Sequence, residues 1–299
     1  MTVRYERPIS RSAYFARRLA LLAFAMFVLG WGLHRFGPLE TPSFLAIALV
    51  AAGLAVVAFY LAIVGLAMLW RKGAKGGKAA GQALLLVILP LVPLAFAASN
   101  YVNLPPIYDI SSDLADPPQW IEEVKADQSW LGERKPETAK ERQAEQNAYR
   151  TISGRRYDGA LDRVYTAALK VADAMGITVT EQRGGPETAP AEARVDSKKA
   201  ADEAVPDAPE NVPVPLPRPE YEMGQPVTVG DAFIQGVHRS LVFGFRQDVV
   251  IRMREEAETT LVDIRVASRY GQHDLGSGAA FIEKYLRALD AELLGIAGD

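Results

Sequence analysis

Three long apolar stretches, separated only by short polar breaks, fill the chain from Leu19 to Ser99. Everything after Tyr108 has the mixed composition of a water-soluble protein. A helix crossing the hydrocarbon core of a bilayer needs about 20 apolar residues. Residues 19–100 therefore predict a three-span membrane anchor, and the remainder predicts a domain held at one surface. The middle run is the clearest, with no charged residue from Thr41 to Trp70. The third is uncharged from Ala79 to Tyr108, with Asn100, Asn103, Pro105 and Pro106 marking an exit near Ser99, and Pro90 and Pro93 predict a kink within it. The first is apolar only from Leu19 to Leu33, but Arg17, Arg18 and Arg35 can snorkel to the headgroups and lengthen it. A cleaved signal peptide is the rival reading of that run. His34, Arg35 and Phe36 stand where small residues would be needed for cleavage.

Lys and Arg collect in the basic N-terminus, residues 1–18 (Arg4, Arg7, Arg11, Arg17 and Arg18), and between the second and third spans (Arg71, Lys72, Lys75 and Lys78). Both segments are predicted to be cytoplasmic by the positive-inside rule. Three crossings then leave the large C-terminal region outside, in the periplasm of a bacterium with two membranes. Residues 1–100 hold ten Lys or Arg against Glu6 and Glu40, a net of +8. The whole chain is −3, which leaves −11 to the rest. So acidic a domain is a poor candidate for nucleic acid, whose phosphates need a basic footprint. The absence of cysteine excludes disulfides, thiolate nucleophiles and Cys-bound metal.

The segment 101–157 reads as a tether and irregular region. Its prolines forbid helix near Pro105–Pro106 and Pro117–Pro118. Asp109, Ser112 and Asp113 suit turns and caps. A divalent-cation site from Asp109, Asp113 and Asp116 is the sharper reading, although the spacing lacks the Gly and bidentate Glu of a calcium loop.

An α+β domain is predicted over 158–299. Leu161, Val164, Tyr165, Ala168, Val171, Ala172 and Met175 recur at helical spacing, with Gly176 as the stop. Ile177–Glu181 alternates as a strand. Residues 184–225, rich in Pro, Ala and acidic side chains, predict a flexible proline-rich insertion. Strand signals resume near Val227, run from Phe233 to His238 and again from Leu241 to Phe245. A hairpin then pairs Val249–Arg254 with Thr259–Tyr270. A last helix starts with Ser277 as N-cap and ends at Gly295. The expected architecture is two helices against one face of a mainly antiparallel sheet, behind a three-helix transmembrane anchor.

Three segments carry a family resemblance: Tyr108-Asp-Ile-Ser-Ser-Asp-Leu-Ala-Asp-Pro-Pro118, Phe245-Arg-Gln-Asp-Val-Val-Ile251 and Val262-Asp-Ile-Arg-Val-Ala-Ser-Arg-Tyr-Gly-Gln-His-Asp-Leu-Gly276. They resemble the bacterial domain of unknown function 1499 family (DUF1499), over about residues 104–292. The resemblance implies an envelope-facing domain and supplies no established reaction. The insertion, Arg246 and Gly278 depart from the family's pattern.

The charged sheet face bearing Arg252, Arg254, Asp263, Arg265 and Arg269 is the preferred contact surface, because guanidinium forks match carboxylates and phosphates. A merely solvated face gives the same pattern. The alternative is a membrane-anchored hydrolase using Ser268, His273 and Asp274, although no nucleophile elbow is present. The bland reading makes Asp274 a cap or an arginine partner and His273 a surface side chain. Only His34, His238 and His273 exist and none is paired as a metal motif requires. Gly73–Lys78 matches no phosphate loop. No ionisable residue lies inside the spans, which disfavours a transporter, and Ala48 with Ala52 and Ala58 with Ala62 offer helix contacts instead. The sequence thus predicts a multi-pass inner-membrane protein without cofactor, whose periplasmic domain is a binding or scaffold module. Its expected partners are the lipid bilayer and an envelope protein, cell-wall material or lipid.

Overall fold

The computed structural model describes residues 8–134, 138–185 and 231–295. Three helices, α1 (Arg11–Phe36), α2 (Thr41–Lys72) and α3 (Gly77–Asn103), are long and apolar enough to cross a membrane. All three outgrow the apolar runs, because polar residues at their ends continue the helical ladder. They pack through an alanine seam: Ala13, Ala16, Ala20 and Ala23 of α1, Ala55, Ala58 and Ala62 of α2, and Ala79, Ala80 and Ala83 of α3 are all buried. Small side chains let backbones approach closely where lipid offers no hydrophobic drive. Of the four alanines expected to make helix contacts, Ala52, Ala58 and Ala62 are buried, whereas Ala48 is half-buried. The closest approach is at Gly65, where a Cβ would meet Ala13 Cβ at 2.8 Å and Ala13 Cα at 3.0 Å.

Among the described residues, the region after α3 forms a six-stranded antiparallel sheet with two helices on one face. Its strands are β1 (Asp109–Ser111), β2 (Arg155–Asp158), β3 (Ile177–Arg183), β4 (Ala232–Arg239), β5 (Arg246–Glu255) and β6 (Thr259–Ser268). The order is β1-β6-β5-β4-β3, and β2 shares the outer edge of β6 with β1. Register places Ile234 opposite Ile251 and Ile251 opposite Ile264, with Val249 opposite Val266 and Met253 opposite Val262. That apolar face is covered by α5 (Leu161–Ala174) and α6 (Ser277–Leu293). Their inner stripes are Val164, Tyr165, Ala168 and Val171 on α5 and Ile282, Tyr285, Leu286 and Leu289 on α6. Tyr285 is fully buried, and its hydroxyl donates to the Ala168 carbonyl at 2.9 Å, tying the two helices together.

Three expectations are corrected. Residues 101–157 are not irregular throughout: they contain β1, a short 3-10 turn at Ser129–Leu131, α4 (Ala139–Ala148) and β2. Leu241–Phe245 is a turn rather than a strand. Gly244 adopts a left-handed φ of 79°, Ser240 and Phe245 close the loop on each other at 2.9 Å, and Phe243 and Phe245 turn toward His34 of α1 and Phe44 of α2 while Leu241 and Val242 stay exposed. The cap of α6 is Gly276, with Asp274 supplying the acceptors instead of Ser277. The insertion expected over 184–225 lies outside the described residues from 186 onward, as does Val227.

Two measurements probe this packing. Gly65→Val drives a side chain into the backbone of α1 and is expected to cost about 1–3 kcal/mol, seen as a lower thermal midpoint of the detergent-solubilised chain. His238 lies against Phe281 with ring centroids 4.4 Å apart. Burial lowers its pKa from 6.5, opposed by bonds to the backbone of Met175 and Gly176 and aided by Lys284. Below pH 6.5 the unfolded chain takes up a proton that the folded domain resists, so stability falls with acidity. Denaturant unfolding at neutral and mildly acid pH is expected to show a smaller acid loss in His238→Gln.

Candidate functional site

The second face of the sheet carries the residues singled out from sequence, and a strap formed by residues 112–134 runs across it. Prolines hold the strap extended. Asp113 shapes its first turn, with Oδ1 accepting from the amides of Ala115 and Asp116, each at 3.0 Å. Strand alternation puts Asp248, Arg252 and Arg254 of β5 and Asp263 and Arg265 of β6 on this face, opposite the apolar core.

Arg252 is the centre. Its side chain is 4% exposed and that of Asp263, its cross-strand partner, 2%. It donates to Asp263 at 2.9 Å, to the Asp116 carboxylate and carbonyl at 2.8 Å each, and to Asp113 at 3.2 Å. Burial works against its charge, but Asp263 and Asp116 outweigh that and hold its pKa above the ordinary range. Arg254 shares Asp263 at 3.2 Å and Asp113 at 3.4 Å. Arg265 grips Asp109 through two bonds of 2.9 and 2.7 Å, donates to the Pro118 carbonyl at 3.0 Å and lies over the Trp120 ring. Arg269 forks onto buried Asp248. Gln235 treats the strap as a neighbouring strand, accepting from the Ile121 and Glu122 amides and donating to the Glu122 carbonyl. At the far end Arg134 and Gln128 bind the Arg269 carbonyl at 2.7 and 3.0 Å.

The charged face expected to serve as a contact surface is covered by the strap. Arg252, Asp263, Arg265 and Arg269 are occupied within the chain, because burying a charge requires a partner in place of water. Arg254, with a side chain 31% exposed, is the member that reaches toward solvent. The acidic trio supplies those partners: Asp109 pairs with Arg265, Asp116 with Arg252, and Asp113 with both Arg252 and Arg254.

The structure does not assemble the three candidate hydrolase residues. His273 Nδ1 accepts from the Leu275 amide at 2.9 Å, which puts the ring proton on Nε2. A triad histidine would instead donate from Nδ1 to the carboxylate. Asp274 Oδ1 lies 3.9 Å from Nδ1 and is engaged as a cap, accepting from Gly276 at 2.9 Å, while Oδ2 accepts from Gly278 at 2.8 Å. Burial raises the Asp274 pKa despite those amides. Among the described residues no hydrogen bond joins Ser268 to His273, and the Ser268 amide donates to the Tyr108 carbonyl at 2.8 Å.

His273 is also not a surface residue. Its side chain is 6% exposed and packs on Tyr101 of α3, with ring centroids 5.1 Å apart. Leu275 has a left-handed φ of 55°, which costs a branched residue energy. Asn100 of α3 holds that residue by donating to its carbonyl at 3.1 Å. The segment from Ser268 to Gly276 is thus a joint between the sheet, α6 and the membrane-type bundle.

Sequence reasoning missed α4 and the groove beside it. Thr138 and Glu141 form a reciprocal capping box, the one readable signal. Glu145 of α4, 2% exposed, accepts from the Ser111 amide at 2.9 Å. Between α4, β2 and the strap lies a cleft of about 480 Å3, lined by Ser112, Asp113, Gln146, Tyr149, Arg150, Arg156 and Asp263 among others. Burial, then Asp274 and Glu145, pushes the Tyr149 phenol up to about 12, so it stays a neutral hydroxyl at physiological pH.

Arg252→Met leaves buried Asp263 short of its main cation and is expected to cost about 3–5 kcal/mol. Arg252→Met with Asp263→Leu should recover part of that in denaturant unfolding. Trypsin cleavage after Lys125 reports release of the strap in the single variant.

The family described as Protein of unknown function (DUF1499) matches residues 109–289. That match opens at β1 and the strap and closes within α6. No curated protein and no solved structure matches the chain. The chain belongs to the DUF1499 family.

Proposed function

We propose that this is an integral protein of the bacterial inner membrane whose C-terminal domain stands in the periplasm as a binding or scaffold module of the cell envelope. The asymmetry of Lys and Arg about the three candidate spans supports that orientation. The cleft beside α4 is the contact surface in this reading. The observation that carries it is the accumulation there of polar groups round an open cleft of about 480 Å3. Asp113 and Asp263 form the floor, already bound by Arg252 and Arg254, and Tyr149, Arg150 and Arg156 stand at the wall and rim. Arg150 and Arg254 bring guanidinium groups to this side of the domain, which suits a carboxylate- or phosphate-bearing envelope partner.

A two-armed experiment in intact cells tests this reading. Alkaline phosphatase fused after Asp299 is expected to be active, and green fluorescent protein fused there is expected to be dark. The reverse pattern removes the periplasmic assignment. A photo-crosslinker at Gln146 or Arg150 is expected to give discrete adducts that one at Thr166, on the outer face of α5, does not give. Equal adducts at all three positions would remove the cleft as the contact surface.

A further inference from the structure

Where the soluble domain meets α1, three arginines converge without a carboxylate. Arg239 ends β4 and stands directly opposite Arg246 in the β4–β5 register, and like charges so placed repel. Arg35, in the last turn of α1, joins them. Arg35 Cδ and Arg239 Nε lie 2.9 and 3.1 Å from the point a Cβ on Gly244 would occupy. Both side chains are fixed: Arg239 donates to the His34 carbonyl at 2.6 Å and to the Gly244 carbonyl at 3.2 Å, and Arg35 donates to the Leu241 carbonyl at 3.2 Å. Burial, and then the charges of Arg35 and Arg246, depress the Arg239 pKa. Among the described residues no carboxylate forms an ion pair with any of the three.

The depth of this cluster identifies what meets it. The turn joining β4 to β5 descends beside α1 until the Val242 carbonyl accepts from Trp31 Nε1 at 2.8 Å. Trp31 lies five residues inside the end of α1, about 7.5 Å along its axis at 1.5 Å per residue. At the tip of the turn Leu241 is 81% exposed and Val242 64%, near Phe36 at 77%. Apolar side chains left bare at the foot of a domain, beside a tryptophan that can anchor at the interface, belong at the boundary between acyl chains and headgroups. The arginines stand at the base of the same turn, where lipid phosphates would lie if α1 crosses a bilayer.

We propose that Arg35, Arg239 and Arg246 bind the phosphate of an anionic lipid headgroup, with its acyl chains running past Leu241, Val242 and Phe36. A phosphate matches guanidinium forks and relieves the repulsion between the paired strands. An anionic lipid supplies a net negative charge that a zwitterionic one does not. The proposal rests on α1 crossing a bilayer, and it holds whichever side of the membrane the domain faces.

The full chain is reconstituted in phosphatidylcholine vesicles with and without phosphatidylglycerol, and its thermal unfolding is followed. Phosphatidylglycerol is expected to raise the wild-type Tm by about 2–4 °C. Arg246 is exposed, so Arg246→Glu retains the fold. It gives Arg239 a carboxylate, and it is expected to raise Tm in pure phosphatidylcholine while abolishing the phosphatidylglycerol increment. Arg35→Gln should shrink that increment. Lys75→Gln with Lys78→Gln, at the other end of the bundle, should leave it intact. Equal increments in wild type and Arg246→Glu overturn the proposal. An equal increment from dissolved inorganic phosphate overturns the lipid assignment in favour of a free phosphate. A chain that fails to enter vesicles at all refutes the membrane span itself, a result distinguishable from loss of lipid preference.

Discussion

The guanidinium of Arg252, enclosed between sheet and strap, fixes how the soluble domain is put together. It contacts Asp263 across the hairpin and Asp113 and Asp116 from a segment well over a hundred residues earlier in the chain. A buried ion pair adds little net stability, because desolvation offsets much of the attraction. Its contribution here is directional. The fork of Arg252, the bond from Arg265 to the Pro118 carbonyl and the amide of Gln235 each accept one placement of the strap. A slip of one residue would leave several buried charges and amides unpaired at once. The strap covers the polar face of the sheet as α5 and α6 cover the apolar one, so the domain has one core made of hydrocarbon and a second layer made of hydrogen bonds.

This arrangement also sets the domain on the helical bundle. The chain passes from the end of α3 through β1 into the strap, and Trp130 near the strap's far end donates to the Pro42 carbonyl at the start of α2, at 3.0 Å. The turn after β6 is held by Asn100 and Tyr101 of α3, and the turn after β4 by Trp31 and Arg35 of α1. Between them His34 stacks on Phe44 with ring centroids 4.8 Å apart, and Phe243 and Phe245 close the group. The domain is thus seated by contacts from all three helices rather than hung on a flexible linker.

How much of this could be read beforehand differs by element, for physical reasons. α5, α6 and the β5–β6 hairpin announce themselves because each buries one face, which leaves a periodic stripe, and the bundle helices because they are apolar on their exposed faces as well as along the buried alanine seam, which leaves an uninterrupted run. Two strands and α4 do not. β1 and β2 are three and four residues long, too short for alternation to register, and α4 is polar almost throughout, so only its capping box marks it. Leu241–Phe245 misleads for the opposite reason: Phe243 and Phe245 serve contact with α1 and α2, Leu241 and Val242 stay exposed, and their combined pattern imitates a strand. His273 looks like a surface side chain until α3 is laid against it.

The order of residues along the chain already carries the two-part architecture, the strand and helix periods of the core, and the chemical identity of both charged partners, the Asp109–Asp116 segment and the arginines of the hairpin. That they belong to each other emerges only in the folded chain. Hydrophobic burial is recorded locally, because every residue facing the core must be apolar wherever it falls in the chain. A charge-assisted hydrogen bond depends on an approach to within about 3 Å. The separation of 156 residues between Asp109 and Arg265 leaves no trace of that approach in one dimension.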